Sequence, residues 1–549
     1  MSQEALQVEE KAQELFPDIV PQSSSSIETL TSSTETRASS TESLTSSSET
    51  LKEIPVLLGL EALDPSFSLT ERLDSLDINA SLKTEIAEKY LSPFSWPWQK
   101  KIIALLGPFM ASTLAGYSAG AYALASEPLR AKWDIGETLF NVGMYLFVVG
   151  FALTPMILAP ISEAHGRYWT FVGSGVVFFL GTLGCAVTDS YAGMMVSRFI
   201  TSNGAAVFAT LTGGVVSDLY RKEDRNTPMA MYSMTIMVGS GLGPLISGSA
   251  VDSLGWRWIF YLQVISIGLT TTVLLVLFEE TRSNVLLRRK CLALNNPSVK
   301  TTTGVLVSFA PATDECLKFE MSMIWRSFAF PLRLLATEPI VFWFSLWITF
   351  AWAIMYMQFS SIGIVFRSVY GFNNAQVGFV YAASISGTVI GIALSLLQGT
   401  LIRRIYPHKG LSSTPEQRLL SPCMQSILLP IGLVWFFMTA RKDIPWLSPA
   451  IAIGSCSMGI FSIYLAVFNY LADTYQSYAS SALAAQSLCR NLIGGIFPLI
   501  TARMIGSLTL NGTGGLLGGL GLFLTVIPWL LYFFGPKIRS RSLFAKQIQ

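Results

Sequence analysis

The sequence has little charge for its length. Asp, Glu, Lys and Arg make up 13% of its 549 residues, whereas hydrophobic residues make up 51% and the mean hydropathy is +0.49. A typical soluble domain carries about 25% charged residues. This shortage excludes an ordinary soluble protein and indicates a chain that crosses a membrane many times.

Histidine and cysteine are scarce as well. The two histidines and six cysteines show no metal-ligand or C-x-x-C spacing, so we predict neither a metal site nor a disulfide framework. The sequence also has no phosphate-cradling loop, catalytic triad or basic nucleic-acid patch. We therefore expect no cofactor, no catalytic residue, no enzymatic activity, no energy from ATP and no nucleic-acid partner.

The first 98 residues differ from the rest in charge. They hold 6 Lys and Arg against 17 Asp and Glu, and the remainder holds 31 against 18. Their Ser/Thr/Glu tract, SSSSIETLTSSTETRASSTESLTSSSET, has too few apolar residues to form a core. No basic n-region followed by an apolar run marks a cleavable signal peptide. We predict a disordered acidic cytoplasmic tail over 1–98 that can be phosphorylated.

Twelve apolar windows of about 20 residues, the length that crosses a bilayer, follow the tail. They lie at 101–124, 138–160, 168–187, 191–217, 228–250, 256–278, 340–364, 376–402, 423–440, 446–471, 480–503 and 513–535. We predict an all-α membrane protein with twelve transmembrane helices in two six-helix bundles. The bundles are expected at 99–278 and 339–535, with a cytoplasmic central loop at 279–338 and a cytoplasmic C-terminal tail at 536–549.

The distribution of basic residues sets the orientation. With the N-terminus inside, the inner segments after the tail hold 22 Lys and Arg and the outer loops hold 6, so both termini are expected in the cytoplasm. The fourth span ends in Asp218-Leu219-Tyr220 and the tenth in Asp473-Thr474-Tyr475, each at the inner face. This repeat favours two related bundles that rock about a midplane site.

The loop between the second and third spans, APISEAHGRYW at 159–169, contains a glycine suited to a tight turn, Gly166. Glu163 and Arg167 lie four residues apart and can form a charge latch against Asp218; an ordinary polar turn explains the loop equally well. The loop resembles the signature G-x-L-A-D-R-x-G-R of the major facilitator superfamily. The resemblance implies an inner gate of Glu163, Gly166, Arg167 and Asp218, and Asp473 is its candidate member in the second half.

Arg198 lies inside the fourth span, where a guanidinium costs about 2.5–3.5 kcal/mol or more in hydrocarbon and must face protein, water or a ligand. It opens RFITSNGAA, which resembles the fourth-span motif of the superfamily, whose arginine is implicated in proton coupling. The resemblance implies that role for Arg198, with Asp218 as a partner in coupling. The alternative is an arginine held by backbone carbonyls of a neighbouring helix.

The fifth span contains GSGLGPLISG at 239–248, which resembles the antiporter signature G-x-x-x-G-P-x-x-G-G. Gly239, Gly243 and Gly248 allow a neighbouring helix to approach closely, and Pro244 removes a backbone hydrogen bond and bends the span. Within the superfamily this string favours export. Stretches 338–359, 418–422 and 469–499 resemble the fungal twelve-span drug:proton antiporters, which include multidrug, polyamine and secondary-metabolite exporters.

Acidic residues are missing from the middle of the spans. None of the 18 that follow position 98 lies there, whereas Arg198 and Arg490 do. A neutral or positive cavity disfavours a polyamine and favours a neutral or anionic organic molecule. No embedded carboxylate is evident as a proton carrier, so protons are expected at Asp218, Glu163 or Asp473, or coupling is absent.

The other interior polar and aromatic groups are candidates to line the substrate path, and the competing explanation for each is a hydrogen bond between helices. They are Tyr117, Asn141, Asn203, Gln263, Tyr356, Gln358, Tyr464, Asn469, Gln486, Arg490 and Asn491.

Taken together, these features predict a monomeric secondary active transporter that exports a drug, toxin or secondary metabolite by proton antiport and alternating access. The plasma membrane is its expected location, with the vacuolar membrane as the alternative. Its partners would be a small organic substrate, protons and the lipid bilayer. An uptake carrier and a non-transporting ligand receptor of the same fold are the competing hypotheses.

Overall fold

The computed structural model describes residues 54–58, 92–221, 224–294, 307–311, 321–405, 419–475 and 479–540. Nearly all of these residues are helical. Most of the segment predicted to be disordered over 1–98 lies outside the described residues, as do parts of the central loop and the C-terminal residues after 540.

The first half of the described chain forms seven helices. They are α1 (Trp98–Ala121), α2 (Ser126–Trp133), α3 (Glu137–His165), α4 (Arg167–Val187), α5 (Tyr191–Leu219), α6 (Asn226–Leu254) and α7 (Arg257–Leu277). A 3-10 turn at Tyr122–Ala125 joins α1 to α2. Glycines with positive φ end two of the helices, Gly166 (φ 100°) after α3 and Gly255 (φ 90°) after α6, because glycine adopts this backbone conformation without a Cβ clash.

The second half adds ten more helices. They are α8 (Ser283–Leu294), α9 (Met321–Thr337), α10 (Pro339–Tyr370), α11 (Asn374–Val380), α12 (Ala382–Ile405), α13 (Leu420–Gln425), α14 (Leu428–Thr439), α15 (Leu447–Tyr475), α16 (Ala479–Gly494) and α17 (Phe497–Arg539). The predicted central loop therefore contains α8 and α9. A capping box of Asn373 and Gln376 starts α11, and Gly371 (φ 69°) ends α10.

Eleven helices of the described chain are long and apolar enough to cross a membrane. The predicted eleventh span is divided between α16 and the start of α17. At about 1.5 Å per residue, the 43 residues of α17 would extend roughly 65 Å, twice the bilayer core. Thr509 (φ 62°, ψ 171°) interrupts α17, within the predicted turn between 503 and 513. The chain thus makes twelve crossings, as predicted.

The helices pack into two groups. In the first bundle (α1–α7), α6 packs on α1, α3 and α4 pack on α5, and α7 packs on α4. In the second bundle (α10–α17), α14 and α12 pack on α15, and α16 packs on α10. The bundles meet where α6 contacts α11 and α12 and where α3 contacts α16 and α17. These seams position the residues that follow.

Large apolar side chains cover the outward faces of the helices. Val276 of α7 is 74% exposed and Phe533 of α17 is 66% exposed, as expected for surfaces that contact lipid rather than water. Exposed tryptophans lie near the ends of α1 and α4 predicted to be cytoplasmic (Trp98, Trp169) and near the opposite ends of α7 and α15 (Trp258, Trp446). We call the predicted cytoplasmic ends inner and the opposite ends outer. Such aromatic belts mark membrane interfaces, and the protein is a multi-pass membrane protein.

Two short strands were not predicted. β1 (Ile54–Leu58) pairs in parallel with β2 (Val307–Pro311), with Ile54 opposite Val307. β1 lies within the segment predicted to be disordered, and β2 lies within the predicted central loop. Each strand is only five residues long, and each is stabilised by a partner from a distant part of the chain. The local sequence therefore gives little signal for either strand.

Candidate substrate path and gates

Arg198 is buried inside the first bundle. Its side chain on α5 is 1% exposed, and its guanidinium carbon lies 4.4 Å from the ring centroid of Tyr122 and 4.3 Å from that of Phe147. Nη1 donates a hydrogen bond to the backbone carbonyl of Ser118 at 3.1 Å. Nε and Nη2 have no acceptor within the described chain. The charge is thus stabilised by two aromatic faces and one carbonyl.

Arg490 is a second buried arginine, in the second bundle. It is 2% exposed on α16, and its guanidinium carbon lies 4.3 Å from the centroid of Trp352, 5.3 Å from that of Tyr464 and 5.9 Å from that of Phe468. Nη2 donates to Ser487 Oγ at 3.3 Å. Nε and Nη1 find no acceptor among the residues described. A second buried cation surrounded by aromatic rings therefore lies on α16, the helix that contacts α3 of the first bundle.

Polar groups close to Arg490 in sequence or in space also keep unused hydrogen-bonding capacity. Neither the amide nitrogen nor the amide oxygen of Gln486 has a partner in the described structure. The Tyr464 hydroxyl, by contrast, interacts with Tyr232 of α6 and with Arg490. Asn491 Nδ2 donates across the seam to the carbonyl of Phe151 at 3.3 Å, while its Oδ1 stays unbonded. Trp352 Nε1 donates to the hydroxyl of Tyr356 at 3.2 Å.

At the inner end of the first bundle, two arginines converge on one carboxylate. Arg167 Nε lies 3.0 Å from Asp218 Oδ2, and Arg282 Nη1 lies 3.3 Å from Asp218 Oδ1. Arg167 Nη1 also donates to Ser162 Oγ at 2.8 Å. Glu163 forms no hydrogen bond or ion pair with the rest of the described chain. The structure thus brings Arg167 and Asp218 together and leaves Glu163 out.

Glu280 belongs to this inner network, and sequence reasoning missed it. Its carboxylate accepts from the backbone N–H of Arg167 at 2.9 Å and of Tyr168 at 3.3 Å, at the N-terminus of α4, where a negative charge is favourable. Gly166 has φ 100°, a conformation that L side chains rarely adopt, and a Cβ there would lie 2.1 Å from Glu280 Oε2, so glycine is strongly favoured. Glu280 follows the sixth span, and no spacing in the sequence connects it to Gly166.

The repeated D-x-Y ends occupy related places in the two bundles. Tyr220, after α5, has Lys101 of α1 over its ring at 5.0 Å. Tyr475, at the end of α15, donates to the buried Glu338 just before α10 at 3.0 Å. In each half the tyrosine thus meets the start of the first helix of its bundle. Asp473 lies half-buried in the last turn of α15.

The glycine string of α6 serves two different seams. A Cβ on Gly239 would lie 2.1 Å from the carbonyl oxygen of Thr113, and one on Gly243 would lie 2.4 Å from that of Tyr117, so α6 packs against α1 there. Further along, a Cβ on Gly248 would lie 2.4 Å from the carbonyl oxygen of Asn374 at the start of α11. The string therefore packs the first bundle internally and also packs it against the second. Pro244 lies between the two seams.

The outer end carries charged contacts that cross between the bundles. Arg367 of α10 lies 3.5 Å from Glu127 of α2 and donates to Asn374 Oδ1 at 2.5 Å. Asn374 Nδ2 and the backbone N–H of Ala375 each donate to Asp252 of α6 at 2.8 Å. First-bundle carboxylates thus bind second-bundle groups at two points.

A cavity of about 360 Å³ lies beside this network. Residues of the 3-10 turn Tyr122–Ala125, of α2, α3, α10 and α11, and Tyr381 after α11 line it; they include Arg130, Glu137, Asn141 and Arg367. Of the residues predicted to line a substrate path, only Asn141 faces this cavity. The charged lining was not predicted, because Arg130 and Arg367 lie at the ends of spans, where basic residues are ordinary.

Most of the other path candidates make contacts between or within helices. Tyr117 Oη lies 3.5 Å from Ser247 Oγ, Asn203 Oδ1 accepts from Thr154 at 2.8 Å, and Gln263 Nε2 donates to the carbonyl of its own helix at Ile259. Three candidates bond across the bundles: Asn141 donates to Pro498 O at 2.9 Å, Asn469 donates to Asn226 at 3.2 Å, and Asn491 donates to Phe151 O at 3.3 Å. Gln358 is buried on α10.

Comparison with known proteins places the chain in context. Residues 108–498 match the model of the Major Facilitator Superfamily. "Efflux pump FUBT" of Fusarium oxysporum is 28% identical over 82% of this chain and 75% of its own length. "Major facilitator superfamily multidrug transporter FLU1" of Candida albicans is 29% identical over 82% of this chain and 74% of its own. The "Ascochitine biosynthesis cluster MFS transporter" of Didymella fabae is 29% identical over 82% and 86%.

Solved structures confirm the predicted fold. The xylose transporter XylE from E. coli aligns with a TM-score of 0.55 at 14% identity, covering 78% of this chain and 97% of its own. A POT family transporter in complex with 5-aminolevulinic acid aligns with a TM-score of 0.57 at 13% identity, covering 81% and 97%. At these identities the likeness concerns the fold alone.

Proposed function

The chain belongs to the Major Facilitator Superfamily, and on that premise we propose that it exports a small organic molecule in exchange for protons. Relatives named an efflux pump and a multidrug transporter support a secondary transporter that works outward. The relative named for a biosynthesis cluster supports a secondary metabolite as the exported molecule. The family is one of transporters, and no enzymatic step is proposed.

The observation that carries the proposal is the buried guanidinium of Arg198, which has unbonded Nε and Nη2 atoms and no counter-ion in the described chain. Arginine keeps its proton at physiological pH. Arg198 therefore serves as a fixed positive charge in the coupling centre, and the proton is carried elsewhere.

Asp218 is the proposed proton carrier on the same helix. Both residues belong to α5, with Arg198 in the outer half and Asp218 in the last turn at the inner end. A proton on Asp218 would remove the negative charge that holds Arg167 and Arg282. Because α5 is one continuous helix, loosening its inner end would also move Arg198 relative to Tyr122 and Phe147.

We further propose that the protein works as a monomer in the plasma membrane with both termini in the cytoplasm. The segments placed inside by this orientation hold 22 basic residues and the outer loops hold 6, which supports the orientation. The inner gate is proposed to comprise Glu163, Gly166, Arg167, Asp218 and Asp473. Rocking of the bundles about the α6 seams would then expose the path to each side in turn.

The test is flux into sealed vesicles that contain the purified full-length protein and carry an imposed pH gradient. A panel of neutral, anionic and cationic organic compounds is offered to the parent protein and to Arg198→Ala and Arg198→Lys. We expect the gradient to drive accumulation of at least one compound, and we expect both substitutions to abolish the gradient-driven part.

The matched control is Arg503→Ala, which removes an exposed arginine of α17. Its flux should equal that of the parent. Accumulation that ignores the pH gradient would overturn proton antiport, and gradient-driven flux that survives Arg198→Ala would remove Arg198 from the coupling centre. Compounds that bind without ever moving would favour the ligand receptor instead.

A further inference from the structure

The second bundle holds buried polar groups that proton coupling leaves unused. We define the Arg490 cluster as Gln486, Arg490 and Asn491 of α16, Trp352 of α10 and Tyr464 of α15. We infer that this cluster binds the carboxylate of a planar aromatic acid and so selects the substrate. The inference rests on the proposed function, because it names the class of molecule that the exporter would carry.

Arg490 lacks a counter-ion. No carboxylate of the described chain lies within ion-pair distance of it, and its partners are neutral hydroxyls, those of Ser487 at 3.3 Å and of Tyr464. The N–H groups on Nε and Nη1 are buried without an acceptor. A desolvated guanidinium in this condition attracts an anion strongly, and a carboxylate offers two oxygens in a geometry that matches it. The ligand would supply the charge that the protein omits.

The rings beside Arg490 favour a flat ligand. Trp352 and Tyr464 stack with centroids 5.1 Å apart and an interplanar angle of 21°, and Phe468 lies 4.4 Å from Tyr464. These faces attract the cation, but they do not accept hydrogen bonds from its edge as a carboxylate does. An aromatic wall next to a cation with free edge donors suits a planar ring that carries a carboxylate.

Two amides extend the recognition surface. Gln486 lies one turn before Arg490, so both side chains share a face of α16, and neither its Nε2 nor its Oε1 has a partner among the described residues. Asn491 Oδ1 is also unbonded there. Together the two amides offer donors and acceptors for a second polar group on the ligand. Three adjacent side chains with unused capacity, counting Arg490, are more than packing requires.

The cluster also lies where ligand binding can act on the bundles. Asn491 Nδ2 donates to the carbonyl of Phe151 on α3 at 3.3 Å, and Leu488 of α16 packs with Ala152 and Met156 of α3. A ligand held by Arg490 would therefore touch the same helix that forms the seam. Recognition and movement of the bundles would share α16.

The experiment measures binding to the purified full-length protein by titration calorimetry. Three carboxylates are each paired with the primary amide of the same ring system: benzoate with benzamide, 1-naphthoate with 1-naphthamide, and indole-3-acetate with indole-3-acetamide. We expect at least one carboxylate to bind about tenfold or more tightly than its amide. Arg490→Gln should abolish that preference, and Arg490→Lys should keep part of it because the charge stays while the planar donors are lost.

Gln486→Leu is the second variant, and it should weaken carboxylate binding without reversing the preference. Arg503→Gln is the control and should change nothing. If no carboxylate binds better than its amide, or if the preference survives Arg490→Gln, the inference is overturned even where pH-driven flux of other compounds is intact. Should Arg490→Gln fail to fold, an undiminished preference in Arg490→Lys would overturn the inference equally.

The flux assay separates this inference from the proposed function. If a carboxylate binds in an Arg490-dependent way but no compound moves under any gradient, the carboxylate site is supported and the proposed export function is rejected. Gradient-driven flux of neutral and cationic compounds with no carboxylate preference would keep the exporter and reject the site.

Discussion

The inner and outer ends of the protein both carry charged networks, yet the two networks connect different things. At the inner end Asp218 lies between Arg167 and Arg282, with side-chain exposures of 9%, 4% and 29%, and every partner belongs to the first bundle or to the chain directly after it. At the outer end Arg367 of the second bundle meets Glu127 of the first, whose side chain is 56% exposed.

The two networks are therefore expected to have different roles. A buried network within one bundle stabilises that bundle, because removing one partner of a buried pair costs about 3–5 kcal/mol. In the proposed mechanism it loosens only when Asp218 takes up a proton. An exposed pair that crosses the bundles contributes about 0–1 kcal/mol and can break in every cycle. Under the proposed mechanism, the inner network stabilises the first bundle and the outer pair would set how readily the outer end opens.

The described contacts that join the bundles in the inner half are mostly uncharged. Ala152 and Met156 of α3 form an apolar cluster with Leu488 of α16, and Phe328 of α9 packs against it. Asn469 and Asn226 add one amide hydrogen bond. The bundle-crossing contacts thus include ion pairing at the outer end and apolar packing in the inner half. That the inner charged residues act as a gate remains a prediction.

The largest effect is expected from Asp218→Asn, which would break the inner network. Arg167 would stay buried without a counter-ion, so the variant should lose about 3–5 kcal/mol of stability. Thermal unfolding of the purified protein in detergent measures the loss. Glu163→Gln changes a carboxylate of the same loop that has no partner in the described chain, and it should unfold like the parent. Equal unfolding temperatures for Asp218→Asn and the parent would contradict the role given to this network.

An intermediate effect is expected where backbones touch across the outer seam. In Gly248→Ala the new Cβ would lie 2.4 Å from the carbonyl oxygen of Asn374, so the closed outer state should lose about 1–3 kcal/mol to overpacking. The readout is maleimide labelling of Val377→Cys, a position in the outer cavity that is 1% exposed, in a background with the native cysteines replaced by alanine.

Labelling should become faster in Gly248→Ala than in its parent. The matched control is Gly173→Ala, because a Cβ there would meet no atom within 4 Å. Equal labelling of the two glycine variants would show that the outer seam tolerates the extra methyl group.

A smaller effect is expected from Glu127→Gln, which removes the exposed pair that crosses the bundles. Labelling of Val377→Cys should rise by no more than about fivefold, the equivalent of 1 kcal/mol, and the increase should shrink at high salt. Asp189→Asn is the control at the same end, because Asp189 binds Lys132 and Arg257, both in the first bundle. A similar rise in that control would remove the distinction between contacts that cross the bundles and contacts that do not.

The smallest effect concerns pH and Asp189. The hydrogen bond from Lys132 lowers the pKa of Asp189 below its usual value. A carboxyl whose pKa is lower in the folded state stabilises the fold above its unfolded pKa of about 3.9 and loses that contribution as the pH falls through the folded pKa. The small difference in unfolding temperature between Asp189→Asn and the parent should therefore be constant from pH 5 to 7 and vanish in stronger acid. A difference that grows in acid would contradict this sign.

Much of the fold was predictable because membrane crossing depends on local composition. Apolar windows placed all twelve crossings, including the reversal near Thr509, where helix assignment alone shows one uninterrupted element. The strand Ile54–Leu58 and the helices α8 and α9 were missed, since their short segments carry no strong periodic signal and β1 is stabilised by a distant partner.

The candidate site was predictable residue by residue but not as an arrangement. The free-energy cost of placing a guanidinium in hydrocarbon identified Arg198 and Arg490 as residues that need a stabilising partner. Both are buried against aromatic rings. The partners Glu280 and Arg282 were missed, because a carboxylate and an arginine just after a span look like ordinary interfacial charges. The outer pair of Glu127 and Arg367 was missed for the same reason.

The sequence by itself determined how many times the chain crosses the membrane and which residues cannot face lipid. Each crossing depends only on the composition of its own segment of about 20 residues. Only the tertiary structure decided which polar groups meet. Asp218 joins Arg167 and Arg282, Gly248 meets Asn374 and Arg490 meets Trp352 because helices far apart in the chain pack side by side, and no local pattern encodes which of their faces come together.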